Sequence, residues 1–192
     1  MIDKKMVSAI NRQINAELYS SYLYLSMAAC FKTTGLEGFA NWMQVQAQEE
    51  LMHAMKFYNY LSERDGRVVF EAIDKPPGKW DSALAAFQAA YQHEQKVTGM
   101  INALADLAQE LKDHASQVFL QWFVNEQVEE EASAKALVDK LALIGDSPQG
   151  LFMIDSKLAA RTFVMPAAAA LFASRGRRFG PGAMPGFSGG SR

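Results

Sequence analysis

The sequence is poor in the features that would place it outside the cell or in a membrane. A single cysteine, Cys30, stands among 192 residues, so no internal disulfide can form and the chain fits a reducing compartment. Cys30 therefore reads as a small buried hydrophobe. No uninterrupted apolar run reaches the roughly eighteen residues of a membrane span, and Met1 to Met6 leads directly into an amphipathic pattern without the apolar stretch of a signal peptide. A cytoplasmic protein with no membrane partner is expected. Acids are missing from residues 161 to 192, where Arg161, Arg175, Arg177, Arg178 and Arg192 give +5; with a total of −2, the rest of the chain carries −7. An acidic body argues against nucleic acid as a partner and suits attraction of small cations.

What is present is a repeated amphipathic helix. An apolar fraction of 49% and this length suit one soluble domain with a sizeable core, taken here as residues 1 to 160, followed by an Ala-rich and then basic Gly/Pro-rich tail from 161 to 192. The first helix spans about Lys4 to Lys32, with Ile10, Ile14, Glu17, Ser21, Tyr24, Ala28 and Phe31 on its inward seam. A turn at Thr33 to Glu37 reverses the chain, and a second helix from about Gly38 to Arg64 turns Phe39, Met43, Gln46, Glu50, His53, Phe57 and Tyr60 inward. Gly66 stops it, and the stretch Asp65 to Trp80, with Val68-Val69-Phe70 and Pro76-Pro77-Gly78, suits no helix. Roughly fifteen extended residues reach about 50 Å, more than the roughly 40 Å of the second helix, so this connection can cross the bundle and set the third helix parallel to the second. The third helix starts at Asp81-Ser82 with a seam of Leu84, Phe87, Tyr91, Glu94, Thr98, Ile101 and Ala105. After a tight turn at Lys112-Asp113-His114 the fourth carries Ser116, Leu120, Phe123, Gln127, Glu130, Ala134, Leu137 and Leu141 inward as far as Gly145; Ser147-Pro148 then opens a short fifth helix to about Ala160. The fold class is all-α: a four-helix bundle with one long crossover and a short fifth helix.

Each main helix spoils its seam near mid-length with a carboxylate: Glu17, then Glu50 with His53, then Glu94, then Glu130 with Gln127. Any one could be a polar defect satisfied by hydrogen bonds. Four in register would repel one another and cost several kcal/mol each to bury, on the order expected for uncompensated charges. No Lys or Arg lies on the seams to neutralise them. Two divalent cations would, and carboxylates with a single imidazole suit iron or manganese better than zinc.

On Asn11 to Glu17, Glu49-Glu50-Leu51-Met52-His53-Ala54, His93-Glu94 and Leu120 to Glu131, the chain resembles the ferritins, specifically the non-haem bacterial and archaeal type, over about residues 1 to 160. The resemblance implies a ferroxidase centre of two irons inside each subunit: Glu17, Glu50 and His53 on the first, Glu50, Glu94 and Glu130 on the second, with Gln127 beside them. It implies a third iron site at Glu49, Glu126 and Glu129, which position alone would make ordinary solvated acids. Tyr24 matches a tyrosine that hydrogen-bonds near the metals and can give up an electron; packing is its other role. Trp122 matches a tryptophan near the centre and reads as mainly structural. The implied activity is iron storage with ferroxidase chemistry: Fe(II) oxidised by dioxygen or hydrogen peroxide, and ferric oxyhydroxide kept in a hollow homo-oligomer, usually of 24 subunits.

Several relatives fit less well. Haem is not expected, because the fourth helix has Gln127-x-x-Glu130 in place of a second Glu-x-x-His pair and Leu51 follows Glu50 where a haem-binding methionine would stand; Met52 reads as a packing residue. One cysteine excludes the paired Cys-x-x-Cys of a rubrerythrin-like peroxidase. A helical interaction protein would leave the four carboxylates uncompensated, and a DNA-protecting mini-ferritin places its ligands between subunits. The tail departs from the family, whose chains end soon after the fifth helix. If that helix points into the shell, the tail arginines are expected to meet an acidic inner surface, with one or two helical turns in the alanine run and a flexible final segment. Both a compact octahedral cage and a more open packing are compatible with this sequence.

Overall fold

The computed structural model describes residues 2 to 164. The alanine run, the final segment and Arg175, Arg177, Arg178 and Arg192 lie outside the described residues. Five helices and no strand occur among those described: α1 Lys4–Thr33, α2 Glu37–Glu63, α3 Ala83–Glu110, α4 His114–Ile144 and α5 Pro148–Leu158.

Side-chain caps start most of them. Asp3 accepts from the Lys5 amide, Ser82 from Ala85, Asp113 from Ser116 and Ser147 from Gly150, each satisfying an amide the first turn leaves unpaired. Gly35 and Gly145 take positive φ at the turns after α1 and α4. After α2 the left-handed residue is Asp65, not Gly66. Gly66 is there for space: a Cβ on it would sit 2.2 Å from Leu61 Cδ1.

The connection after α2 crosses the bundle along α1. Asn11 donates to the Arg67 carbonyl and accepts from the Val69 amide, Asn15 donates to the Glu71 and Ala72 carbonyls, and Ser26 donates to the Pro77 carbonyl. Later loop residues thus meet later residues of α1, over about 22 Å of helix at 1.5 Å per residue. The loop ends at the far end of α1, so α3 runs antiparallel to α1 and parallel to α2, as expected.

Two apolar clusters fill the bundle, one at each end. Tyr24, Met27, Phe31, Phe39, Met43, Phe87 and Leu141 form the first; Met6, Ile10, Ile14, Phe57, Leu61, Ile101, Leu120 and Phe123 form the second. Large apolar side chains buried in this way contribute about 1.5–3 kcal/mol apiece. Between them lies a belt of buried polar residues: Gln13, Glu17, Gln46, Glu50, His53, Glu94, Gln127 and Glu130. The α4 seam is buried as expected. Elsewhere it slips locally: Ser20 rather than Ser21 is fully buried on α1, Leu61 rather than Tyr60 on α2, and on α3 Leu84, Tyr91, Thr98 and Ala105 lie half-buried while Ala86, Ala90, Val97 and Leu104 go inside. Straight helices turn slightly less than the four-three step assumes, so the seam drifts along their length.

α5 docks on the start of α2. A Cβ on Gly38 would stand 1.7 Å from the Asp155 carbonyl oxygen, so only glycine permits the approach. The Phe39 amide donates to the Asp155 carboxylate at 3.0 Å, and Asn41 Nδ2 donates to the Leu158 carbonyl at 3.1 Å and the Arg161 carbonyl at 2.9 Å. Cys30 is half-buried, not fully enclosed, and lines a cavity of about 250 Å³ with Phe31, Leu36, Trp80 and Leu151.

Candidate metal centre

The centre lies at mid-bundle, where α1, α2, α3 and α4 each contribute side chains to the polar belt. Glu17, Glu50 and His53 each offer a ligand atom within 4.8 Å of the other two, and all three are buried. His53 and Glu50, three apart on α2, meet at 3.3 Å through Nδ1 and Oε2. His53 Nε2 and Glu17 Oε2 are buried with no hydrogen-bond partner in the protein. Buried polar atoms are almost always paired, so two orphans in one cluster of carboxylate and imidazole mark a place suited to a cation.

Neutral donors satisfy most of the other carboxylate oxygens of the belt. Gln46 Nε2 donates to Glu50 Oε1 at 3.1 Å and to Glu130 Oε2 at 2.7 Å, and Gln13 Nε2 donates to Glu17 Oε1 at 2.8 Å. Tyr24 donates its hydroxyl to Glu94 Oε1, and Gln127 Nε2 lies 3.3 Å from Glu94 Oε2. Glu50, Glu94 and Glu130 are not gathered as tightly as the first trio. Amides and a phenol satisfy them one by one. His53 instead forms a second grouping with Glu126 and Glu130.

Electrostatics follow the geometry. Burial, then the Glu50 charge, pushes Glu17 well above the carboxylate range; burial with Glu50 and Glu94 does the same to Glu130. Glu94 is pushed up to about 8, by burial first and Glu50 next, against the opposing bonds from Tyr24 and Gln127. Burial also works against Glu50, but the bond and charge of His53, with bonds from Gln46 and Glu17, outweigh it and bring Glu50 below its ordinary value. Tyr24 is raised by burial and by Glu94. Glu50 is thus the most readily ionised acid of the belt, among neighbours that burial pushes toward the protonated form and that a cation would ionise.

The three outlying acids behave differently. Glu126 is half-buried and is raised by burial, with His53 pulling down and Glu129 pushing up. Glu129 is exposed. Glu49 is half-buried and ion-paired with Arg161. Trp122 meets His53 edge-on at 5.4 Å with Lys56 Nζ 3.0 Å above its ring, a contact that fixes the imidazole's neighbour. His93 accepts or donates at 2.7 Å with Ser20 and packs between Tyr19 and Tyr24.

Sequence reading assigned no role to Gln13, Gln46 or Arg161 at the site. The glutamines carried a usable signal: each stands four residues before a buried glutamate, at 13/17 and 46/50, which places its amide over the carboxylate. Arg161, counted with the basic tail, gave no such sign.

A model of the ferritin-like domain matches residues 7 to 144. A protein of Bacteroides fragilis named bacterial non-heme ferritin is 46% identical over 161 residues, 84% of this chain and all of that one. Its counterpart in Staphylococcus saprophyticus is 40% identical over 163 residues, 85% of this chain and 98% of that one. Among solved structures, an open-pore ferritin of the archaeon Archaeoglobus fulgidus aligns with a TM-score of 0.84 at 56% identity, covering 84% of this chain and all of that one. A form of the same ferritin engineered to be closed aligns equally well, over 85% of this chain.

Proposed function

The chain belongs to the ferritin-like domain family as an iron-storage protein with ferroxidase function, and on that premise we propose that oxidation occurs at an intra-subunit pair of irons in the mid-bundle belt. Glu17, Glu50 and His53 hold the first ferrous ion and Glu50, Glu94 and Glu130 the second, so Glu50 bridges, with Gln127 as an auxiliary donor. The single observation that carries this reading is the buried Glu17, Glu50 and His53 cluster with its two orphaned polar atoms.

Hard carboxylate oxygens favour the ferric over the ferrous ion, which makes loss of an electron from each of two irons favourable. Dioxygen takes the electron pair and two protons and leaves as hydrogen peroxide; peroxide as oxidant takes a pair and two protons to give two waters. Tyr24, whose hydroxyl donates to Glu94, orients that carboxylate toward the second iron. The carboxylates exchange readily, so ferric product leaves and hydrolyses to oxyhydroxide, releasing protons. Glu49, Glu126 and Glu129 serve as further metal carboxylates for an additional iron in transit. Met52 and the rest of α2 supply no haem site in this reading.

Storage needs an enclosed space, and the exposed apolar residues Tyr22, Leu25, Phe70, Leu143, Phe152 and Met153 support burial between copies of the chain. We place them in a hollow homo-oligomer of 24 subunits in the cytoplasm, taking ferrous iron and oxygen and no nucleic acid. No described helix is long and apolar enough to cross a membrane.

The test is aerobic Fe(II) oxidation, followed by absorbance of the ferric product, in wild type and Glu50→Ala with particle size by light scattering. Fast oxidation lost in the mutant, on a particle of about half a megadalton given a 21.2 kDa chain, is the expected result. Unchanged oxidation in the mutant would remove the belt from the chemistry.

A further inference from the structure

Arg161 sits just beyond α5, yet its side chain reaches into the α2 face that borders the metal belt. Asn41 holds its carbonyl at 2.9 Å. The guanidinium lies 4.5 Å over the Trp42 ring, and one nitrogen donates to the Trp42 carbonyl at 3.3 Å and to Gln46 Oε1 at 3.0 Å. The other nitrogen donates to the Glu49 carboxylate. The pair is largely shielded, with 25% of the arginine and 21% of the glutamate side chain exposed. Four partners for one fork is a built socket rather than a chance surface contact.

We infer that Arg161 is a resident cation that competes with metal for Glu49, so an ion beyond the dinuclear pair binds there only when the guanidinium withdraws. This rests on the reading of Glu49, Glu126 and Glu129 as further metal carboxylates. A carboxylate oxygen that accepts a charged N–H has less electron density to give a metal, and a divalent cation brought beside a fixed positive charge is repelled by it. Glu49 adjoins Glu50, and its charge acts on Glu130. Gln46 holds the guanidinium through its carbonyl oxygen while its amide serves Glu50 and Glu130. That division lets the arginine leave without unseating the belt.

The experiment is anaerobic calorimetric titration of the full-length, metal-free assembly with cobalt(II), with ligand-field absorbance recorded in parallel. Wild type, Arg161→Ala, Arg161→Lys and Glu126→Ala are compared, none of which is scored by turnover. Arg161→Ala is expected to tighten the last, weak step by about tenfold, the scale of a residue acting beside a metal ligand, and to leave the earlier steps in place. Arg161→Lys keeps the charge and should stay near wild type. No change at the last step in Arg161→Ala, equal weakening of every step, or a lysine variant as tight as alanine would overturn the inference, while Glu126→Ala still abolishes the last step. If Glu126→Ala leaves every step intact, the additional-site reading fails and takes the inference with it.

Discussion

Glu94 shares its carboxyl between the Tyr24 hydroxyl and the Gln127 amide in a site where burial holds its pKa at about 8. The folded protein therefore keeps a proton that the unfolded chain gives up near 4.5. That contribution to stability is fully present below the ordinary carboxylate value and is lost as pH rises toward 8; Glu17 and Glu130, raised by the same burial, act in the same direction. Metal-free protein should accordingly melt at a lower temperature at pH 8.5 than at pH 5.5, and metal should reverse the trend by stabilising the ionised acids. Binding at pH 7 should also expel about one proton or more per subunit. Calorimetry of cobalt(II) binding in buffers of different ionisation enthalpy counts those protons; no release would contradict a belt of protonated acids.

At the scale of elements, two glycines inside helices make opposite demands. Gly38 faces the backbone of α5 at a distance no Cβ can occupy, whereas Gly99 has nothing within 4 Å of where its Cβ would be. Gly38→Ala must push α5 off α2, costing about 1–3 kcal/mol or more as overpacking against backbone does. Gly99→Ala should instead stabilise α3 by about 0.5–1 kcal/mol, because alanine loses less backbone entropy in a helix. Denaturant unfolding of both variants compares them, and hydrogen exchange in α5 should quicken only in Gly38→Ala. The undocking would also free Arg161, since Asn41 and Asp155 no longer hold the segment. Helix limits were legible to within about two residues, because Ser82, Ser147 and Pro148 state two of the starts and Gly66 and Gly145 two of the stops. The docking of α5 was not, as a glycine at a helix start looks like any weak helix residue.

For the whole molecule, the corner between α4 and α5 leaves Leu143, Phe152 and Met153 86%, 71% and 72% exposed. Side chains that large and that exposed, close in sequence around one turn, suit contact between copies of the chain. Leu143→Asp combined with Phe152→Asp should give particles well below half a megadalton by light scattering, with helix content and metal binding by the isolated subunit retained. A full-sized particle from that double variant would move assembly to other surfaces.

Helix count, crossover, all-α class and the four mid-seam acids follow from the sequence itself, because period and polarity are local properties that a buried carboxylate interrupts visibly. The resemblance to non-haem ferritins was legible for the same reason, being carried by unbroken stretches on each helix. Beyond the grouping of Glu17, Glu50 and His53, which the resemblance already implied, tertiary structure decided how those acids are held. The tight trio is Glu17, Glu50 and His53, while Glu94 rests on Tyr24 and Gln127, because a buried carboxyl without a cation takes whatever donors the packing supplies. It also decided the roles of Gln46 and Arg161. Gln46 joins α2 to α4 through a bond between residues 84 apart, and Arg161 reaches Glu49 across 112 residues. No periodicity encodes such distant contacts, and the second exists only once Gly38 has let α5 down onto α2.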